Sequence, residues 1–415
     1  MSPPIREWIR AADRRDLGDP LGGVGGREIG SERSEAAPVR RAGSSRATDT
    51  LRHVPQSPIS FARGAPALEL IPAAELADCA HAVSLREGAS VFAYGPGGGY
   101  PPLRQWVAER HGVEPHRVVL TVGGLLGFVL YAGELLERRP GRVLVEAPTY
   151  DRPLKVLARE RAEVVALPMD DEGLDPDALE EELARPGEPP SFLYTIPTFQ
   201  NPSGRTLSTS RRHRIAEIVA RHALPVLEDD PYGLVRYEGD PEPSLHELEG
   251  GRLVTYTSSF SKTVAPGLRT GYFVLPADDE GRFEERAAST YISPPFIAQA
   301  TIAEFLARGR FEPNLEHVRR ELQARRDAML DALARTFPEG ASWSHPHGGY
   351  FLWLDLGSGA TAELAAKATD AGVAFVKGAD FFPGGEDGKS AARLAFSFEP
   401  PERITEGIER LAALI

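Results

Sequence analysis

Thr255-Tyr256-Thr257-Ser258-Ser259-Phe260-Ser261-Lys262-Thr263-Val264-Ala265-Pro266-Gly267-Leu268-Arg269-Thr270-Gly271 decides how the rest of the chain is read. A β-rich run over 253–257 leads into a hydroxyl cluster, a lysine, a Pro-Gly turn and an arginine. That order suits a lysine held at a strand end above an anion site. Two serines and an arginine can bind a phosphate, and the amine is left free for covalent chemistry with a carbonyl compound. A lysine after serines is more often a solvated surface residue, so the reading depends on what the other strand ends carry.

Before this stretch, short β-rich runs alternate with helical patterns. Strands are expected at 117–121, 142–146, 164–167, 192–196, 225–228 and 253–257, and helices at 125–137, 154–161, 175–184 and 210–222. Continuous apolar strands separated by helices indicate a mostly parallel sheet covered on both faces. The stretch 294–334 reads as long and helical, with Val318, Leu322, Met329, Leu330 and Leu333 at helical spacing. After it come strands at 350–354, 373–376 and 393–398 and helices at 362–371 and 401–414, a smaller α+β unit. The fold class is α/β: a three-layer, mostly parallel-sheet large domain with a smaller α+β domain. The expected division is a flexible N-terminal extension at 1–55, with a short helix at 5–16. The first part of the small domain and an entrance loop follow at 56–90, the large domain at 91–290 and the rest of the small domain at 291–415.

At 415 residues the chain implies two or three domains, and its net charge of -13 argues against a generic nucleic-acid binder. One cysteine, Cys79, excludes an intrachain disulfide and a cysteine-cluster metal site, and reads as a buried small hydrophobe. No stretch approaches the roughly 18–20 apolar residues of a membrane span. The N-terminus lacks a secretory apolar core, so a cytoplasmic enzyme is expected.

In open parallel sheets ligands bind beyond the carboxyl ends of the strands, so the polar residues there should converge. The first strand is followed by Gly123-Gly124, which opens a helix whose amides and dipole favour an anion. Tyr150 follows the second and can stack on a flat ring. Asn201, held before Pro202, lies in Pro197-Thr198-Phe199-Gln200-Asn201-Pro202-Ser203-Gly204 and can donate to an oxygen anion. Glu228-Asp229-Asp230-Pro231-Tyr232 gathers three carboxylates, of which at least one should face a cation. With the serine-lysine-arginine cluster, each strand end carries something that a pyridoxal phosphate site needs.

On these motifs the chain resembles a fold-type I pyridoxal-phosphate enzyme of the class I/II aminotransferase family, aspartate aminotransferase-like in fold. It is similar to the branch that holds 2-aminoadipate and kynurenine aminotransferases and the aminotransferase-like domains of MocR regulators. The match runs from about Ile59 to the C-terminus and rests on the order and spacing of Phe199 to Gly204, Glu228 to Tyr232, and Ser259 to Lys262 with Arg269. The resemblance implies an amino-group transfer between a 2-amino acid and a 2-oxo acid. It also implies that Lys262 bonds the cofactor aldehyde and later shuttles a proton. Asp229 would pair with the pyridine nitrogen, Asn201 and Tyr232 would bond the phenolic oxygen, and Tyr150 would stack on the ring. Ser259, Ser261, Arg269 and the amides of Gly124 and Leu125 would hold the phosphate. Tyr94 would reach the phosphate of a partner subunit in a homodimer, Arg393 would clamp the substrate carboxylate, and Gly64 would bring backbone close to the substrate. Biosynthetic amino acid metabolism is the implied setting.

Three departures stand out. Gly123-Gly124-Leu125 replaces the family's usual polar triple. Arg63-Gly64 replaces a Gly-Gly pair, so Arg63 either enters the pocket to select an acidic side chain or points to solvent. The segment 94–100 is unusually glycine-rich. Elimination, cyclisation or oxidation on the same scaffold is the alternative reaction. A ligand-sensing regulator is disfavoured because 1–55 reads as too short and too glycine-rich for a winged helix and linker. The run 384–390 lacks a Walker loop's first glycine, His345 and His347 lack a third ligand, and Asp170-Asp171-Glu172-Gly173 reads as a solvated turn. No metal is expected.

Overall fold

The computed structural model describes residues 58–279, 281–359 and 361–415. The expected extension at 1–55 and its helix lie outside them. Residues 58–415 pack as one compact unit.

The strands, in chain order, are β1 (Ile59–Ser60), β2 (Val118–Thr121), β3 (Val143–Ala147), β4 (Val164–Asp170), β5 (Gly173–Leu174), β6 (Phe192–Thr195), β7 (Val226–Asp229), β8 (Val254–Ser259), β9 (Gly271–Val274), β10 (Ser342–Trp343), β11 (Phe351–Asp355), β12 (Val373–Ala374), β13 (Val376–Lys377) and β14 (Ala391–Ala395). Eight form one sheet in the order β2-β9-β8-β7-β6-β3-β4-β5. The run β8-β7-β6-β3-β4 is parallel throughout, while β9 lies antiparallel between β2 and β8 and β5 runs antiparallel to β4.

The two-residue period of the strands sorts their side chains into two apolar layers. Val143, Val145, Phe192, Tyr194 and Leu227 pack with Phe128 and Tyr131 of the helix Gly124–Arg138. The intervening Leu144, Leu193 and Val226 pack with Leu179, Ile215, Ile218 and Val219, from the helices Pro176–Leu183 and Thr209–His222. This is the expected three-layer α/β architecture. The smaller part has a four-stranded antiparallel sheet, β10-β11-β14-β13, and the parallel pair β1-β12.

Several elements differ from expectation. β9 and the helices Ala73–Glu87, Pro101–His111 and Arg282–Tyr291 were not anticipated. The stretch 294–334 is two helices, Phe296–Ala307 and Phe311–Thr336, parted at Gly309, whose φ of 67° is left-handed. The expected strand at 373–376 is split between two sheets. The expected division at residues 90/91 and 290/291 cuts through an apolar cluster, because Leu76, Cys79, Val83, Ala300 and Phe305 pack with Val118, Leu120 and Val274 of the large sheet. We propose that the boundary between the large-sheet and small-sheet parts of this compact unit falls within the long helix Phe311–Thr336. Its Leu315 belongs to that cluster, whereas Met329 and Leu333 pack with Leu352, Leu394 and Ile408 of the small unit.

Candidate active site

The carboxyl ends of β2, β3, β6, β7 and β8 open onto one cavity of about 470 Å³. Gly124, Leu125, Tyr150, Asn201, Asp229, Tyr232, Ser259, Ser261, Lys262, Arg269, Gly64, Arg63 and Arg393 all line it. Tyr94 does not; it stands on the surface, 79% exposed.

Lys262 sits just past β8, and its Nζ donates to the Gly64 carbonyl at 2.8 Å. Burial, then the positive charges of Arg393 and Arg269, push the amine down to about 8, with Asp229 acting the other way. A larger neutral fraction near neutral pH favours both attack on an aldehyde and proton transfer. Gly64 cannot carry a side chain here, since a Cβ would lie 2.6 Å from Phe351 Cζ.

Asp229 ends β7, where its carboxylate accepts from the Tyr194 hydroxyl at 2.8 Å. Burial raises it to about 7, so it stays anionic at neutral pH only with a cation at hand. The three consecutive carboxylates are held apart. Glu228 turns to the opposite layer, accepting from the Leu245 and His246 amides, with the buried Arg212 at 4.0 Å. Asp230 accepts from the Tyr256 hydroxyl and the Gly233 amide. Only Asp229 faces the cavity, and the cation it needs fits a protonated ring nitrogen.

The anion end is built around glycine. Gly123 caps the helix Gly124–Arg138 at φ 81°, and a Cβ there would meet Arg269 Nη2 at 2.3 Å. Arg269, itself left-handed at φ 47°, bonds among the described residues to the Pro266 and Val122 carbonyls. Its charge, the hydroxyls of Ser259 and Ser261 and the helix N-terminus form a donor set for a phosphate dianion. Leu125 offers no hydroxyl to it.

Arg393 enters from β14 of the small sheet. It donates to Asn201 Oδ1 at 3.1 Å and to the Ala62 carbonyl at 2.8 Å, and lies between the rings of Phe351 and Phe381. Its Nε is buried without a partner, and among the described residues no carboxylate lies within salt-bridge distance of it. A buried guanidinium with neutral partners only is poised for an incoming carboxylate. The Arg63 guanidinium lies over the Phe398 ring at 4.3 Å, and the residue is exposed while also lining the cavity.

The loop after β6 is fixed from below. Buried Glu146 accepts from Thr195 Oγ1, the Ile196 amide and Gln200 Nε2, and Gln200 also donates to the Pro148 carbonyl. Sequence reasoning missed Glu146, Tyr194, Phe128 and Phe351, because an interior strand residue carries no local sign of which neighbour it will meet. The acidic turn after β4 is not simply solvated: Asp170, Asp171 and Glu172 pair with Arg205 and Arg211.

These residues fit pyridoxal phosphate: an amine with a depressed pKa, a carboxylate short of a cation, an aromatic wall at Tyr150 and a phosphate cup. The chain matches the aminotransferase class I and II family over residues 58–411. It is 37% identical over 357 residues to the 2-aminoadipate transaminase of Thermus thermophilus, covering 85% of this chain and 89% of that one. It is 34% identical over 366 residues to aromatic-amino-acid aminotransferase 1 of Thermococcus litoralis, covering 86% and 88%. The crystal structure of the α-aminoadipate aminotransferase LysN of Thermus thermophilus, complexed with N-(5'-phosphopyridoxyl)-L-leucine, superposes with a TM-score of 0.81 at 36% identity, covering 88% of this chain and 94% of that one. The chain belongs to the class I and II aminotransferase family and has its fold-type I, aspartate aminotransferase-like architecture. It is a pyridoxal-phosphate-dependent aminotransferase that moves an amino group between a 2-amino acid and a 2-oxo acid.

Proposed function

We propose the following division of labour in that reaction. Lys262 Nζ would hold the cofactor covalently until the substrate amine displaces it; the freed amine would then take the proton from the substrate Cα and pass it to the cofactor carbon that had bonded the lysine. Asp229 keeps the ring nitrogen protonated, with Tyr194 orienting its carboxylate. Asn201 and Tyr232 bond the phenolic oxygen, and Tyr150 covers one face of the ring. Ser259, Ser261, Arg269 and the amides of Gly124 and Leu125 grip the phosphate. Arg393 binds the α-carboxylate, with Asn201 fixing the guanidinium, so that the Cα–H points toward Lys262. When bound, the cofactor supplies the electron sink that makes that proton labile.

The observation that carries this reading is one cavity in which three groups converge: a depressed amine, a cation-hungry carboxylate and a buried guanidinium that, among the described residues, has no carboxylate partner. We infer further that the protein is a homodimer in which the exposed Tyr94 reaches the partner's phosphate site. We also place it in cytoplasmic amino acid biosynthesis; among the described residues no helix is long and apolar enough to cross a membrane. The donor panel follows from the relatives: dicarboxylic, aromatic and aliphatic amino acids are added to the purified holoenzyme. Loss of the aldehyde-form absorbance with gain of the amine form, without ammonia, is expected. Ammonia release without the amine form marks elimination and overturns the assignment.

A further inference from the structure

Tyr350 has none of the roles above, yet it is fully buried against the reactive lysine. Its hydroxyl donates to the Lys262 carbonyl at 3.1 Å, and its ring centroid lies 5.0 Å from Lys262 Nζ. Burial pushes the phenol well up, so it stays a donor across the working pH range. The contact crosses between the two units. Tyr350 precedes β11 of the small sheet, and its neighbour Phe351 carries the Arg393 guanidinium on its ring at 4.3 Å. The approach is set by main chain: a Cβ on Gly348 would meet the Phe199 ring at 2.1 Å, and one on Gly349 would meet the Phe199 Cβ at 2.7 Å. An aliphatic side chain could fill this space but could bond no carbonyl. Around the amine, Arg393 and Arg269 favour the neutral form, Asp229 opposes them, and the Tyr232 ring lies at 5.8 Å.

We propose that Tyr350 is a positioning residue for Lys262: its hydroxyl pins the lysine main chain to the small unit, and its ring face steadies the positively charged form of the lysine nitrogen, free or bonded to the cofactor. The proposal rests on the role given to Lys262. It makes the lysine's position depend on the same small-unit strand that presents Phe351 to Arg393, so carboxylate binding and amine placement are tied.

The test uses holoenzyme of the parent, Tyr350→Phe and Tyr350→Leu. Bound-cofactor absorbance is titrated against pH without substrate, and kcat and KM are measured separately. Tyr350→Phe keeps the ring, so the titration midpoint stays with the parent while kcat falls about fivefold at unchanged KM, the worth of one hydrogen bond. Tyr350→Leu loses the ring face as well, and its midpoint falls by about half a pH unit or more. A folded Tyr350→Phe with the parent's kcat, together with a Tyr350→Leu midpoint equal to the parent's, overturns the proposal. If Tyr350→Leu does not fold, a parental kcat in Tyr350→Phe overturns it alone. Borohydride fixation of the parent separates the two readings: cofactor not fixed to Lys262 sinks the lysine's role, whereas normal fixation with unaltered variants sinks only Tyr350.

Discussion

At Asp229, burial and charge pull against each other. Its ordinary value is 3.8 and burial raises it to about 7, so the folded, cofactor-free protein holds a proton that the unfolded chain releases. Stability from this group is fully present below about pH 4 and is lost as pH rises through about 7. Thermal unfolding of the cofactor-free protein should therefore show a steeper decline over that window than Asp229→Asn, which has no proton to lose. Matching slopes would mean that the carboxylate is not desolvated as described. Adding pyridoxal phosphate should flatten the parent's slope, because a protonated ring nitrogen supplies the missing cation. Lys262, depressed to about 8, leads to a second expectation: covalent uptake of the cofactor should accelerate as pH rises toward 8, read by stopped-flow absorbance. Lys262→Ala should leave no cofactor attached after borohydride. Arg393→Ala should raise KM for the amino acid by roughly tenfold to a hundredfold, the worth of charge-assisted bonds to a carboxylate. An unchanged KM would remove Arg393 from that role.

Among the elements, the helix Gly124–Arg138 and the long helix Phe311–Thr336 matter most. The first depends on a residue that can adopt φ 81° and leave room for Arg269. Gly123→Ala violates both conditions, so cofactor affinity should fall at least about tenfold, seen as a raised apparent Kd in fluorescence titration. Parental affinity would show that the cup tolerates a displaced arginine. The second passes from the large-sheet core to the small-unit core, with Val318 and Leu322 packed between Ala67, Phe199, Val235 and Tyr350. Leu322→Ala should destabilise the protein by about 2–4 kcal/mol, measured by chemical denaturation.

For the whole molecule, the proposed homodimer has a direct test at the exposed Tyr94. Lys262→Ala chains lack the amine but carry Tyr94; Tyr94→Ala chains carry the amine. Refolding the two together should restore activity that neither has alone, because the mixed dimer holds one complete site. Additive activity without recovery would place Tyr94 outside the partner's site.

The periodic apolar runs determined the parallel sheet and its covering helices, since burial on both faces leaves its mark residue by residue. The motifs after β6, β7 and β8 determined the chemistry, because each pairs an unusual side chain with a turn that only a strand end uses. Tertiary structure alone decided the rest. β9 is four residues long and antiparallel within a parallel run, and Gly309 breaks a helix whose apolar spacing continues on both sides. Glu146, Tyr194 and Tyr350 look like ordinary interior residues along the chain. They acquire roles only when the fold sets them against Gln200, Asp229 and Lys262, since hydrogen bonds between distant segments follow from packing geometry and not from local spacing.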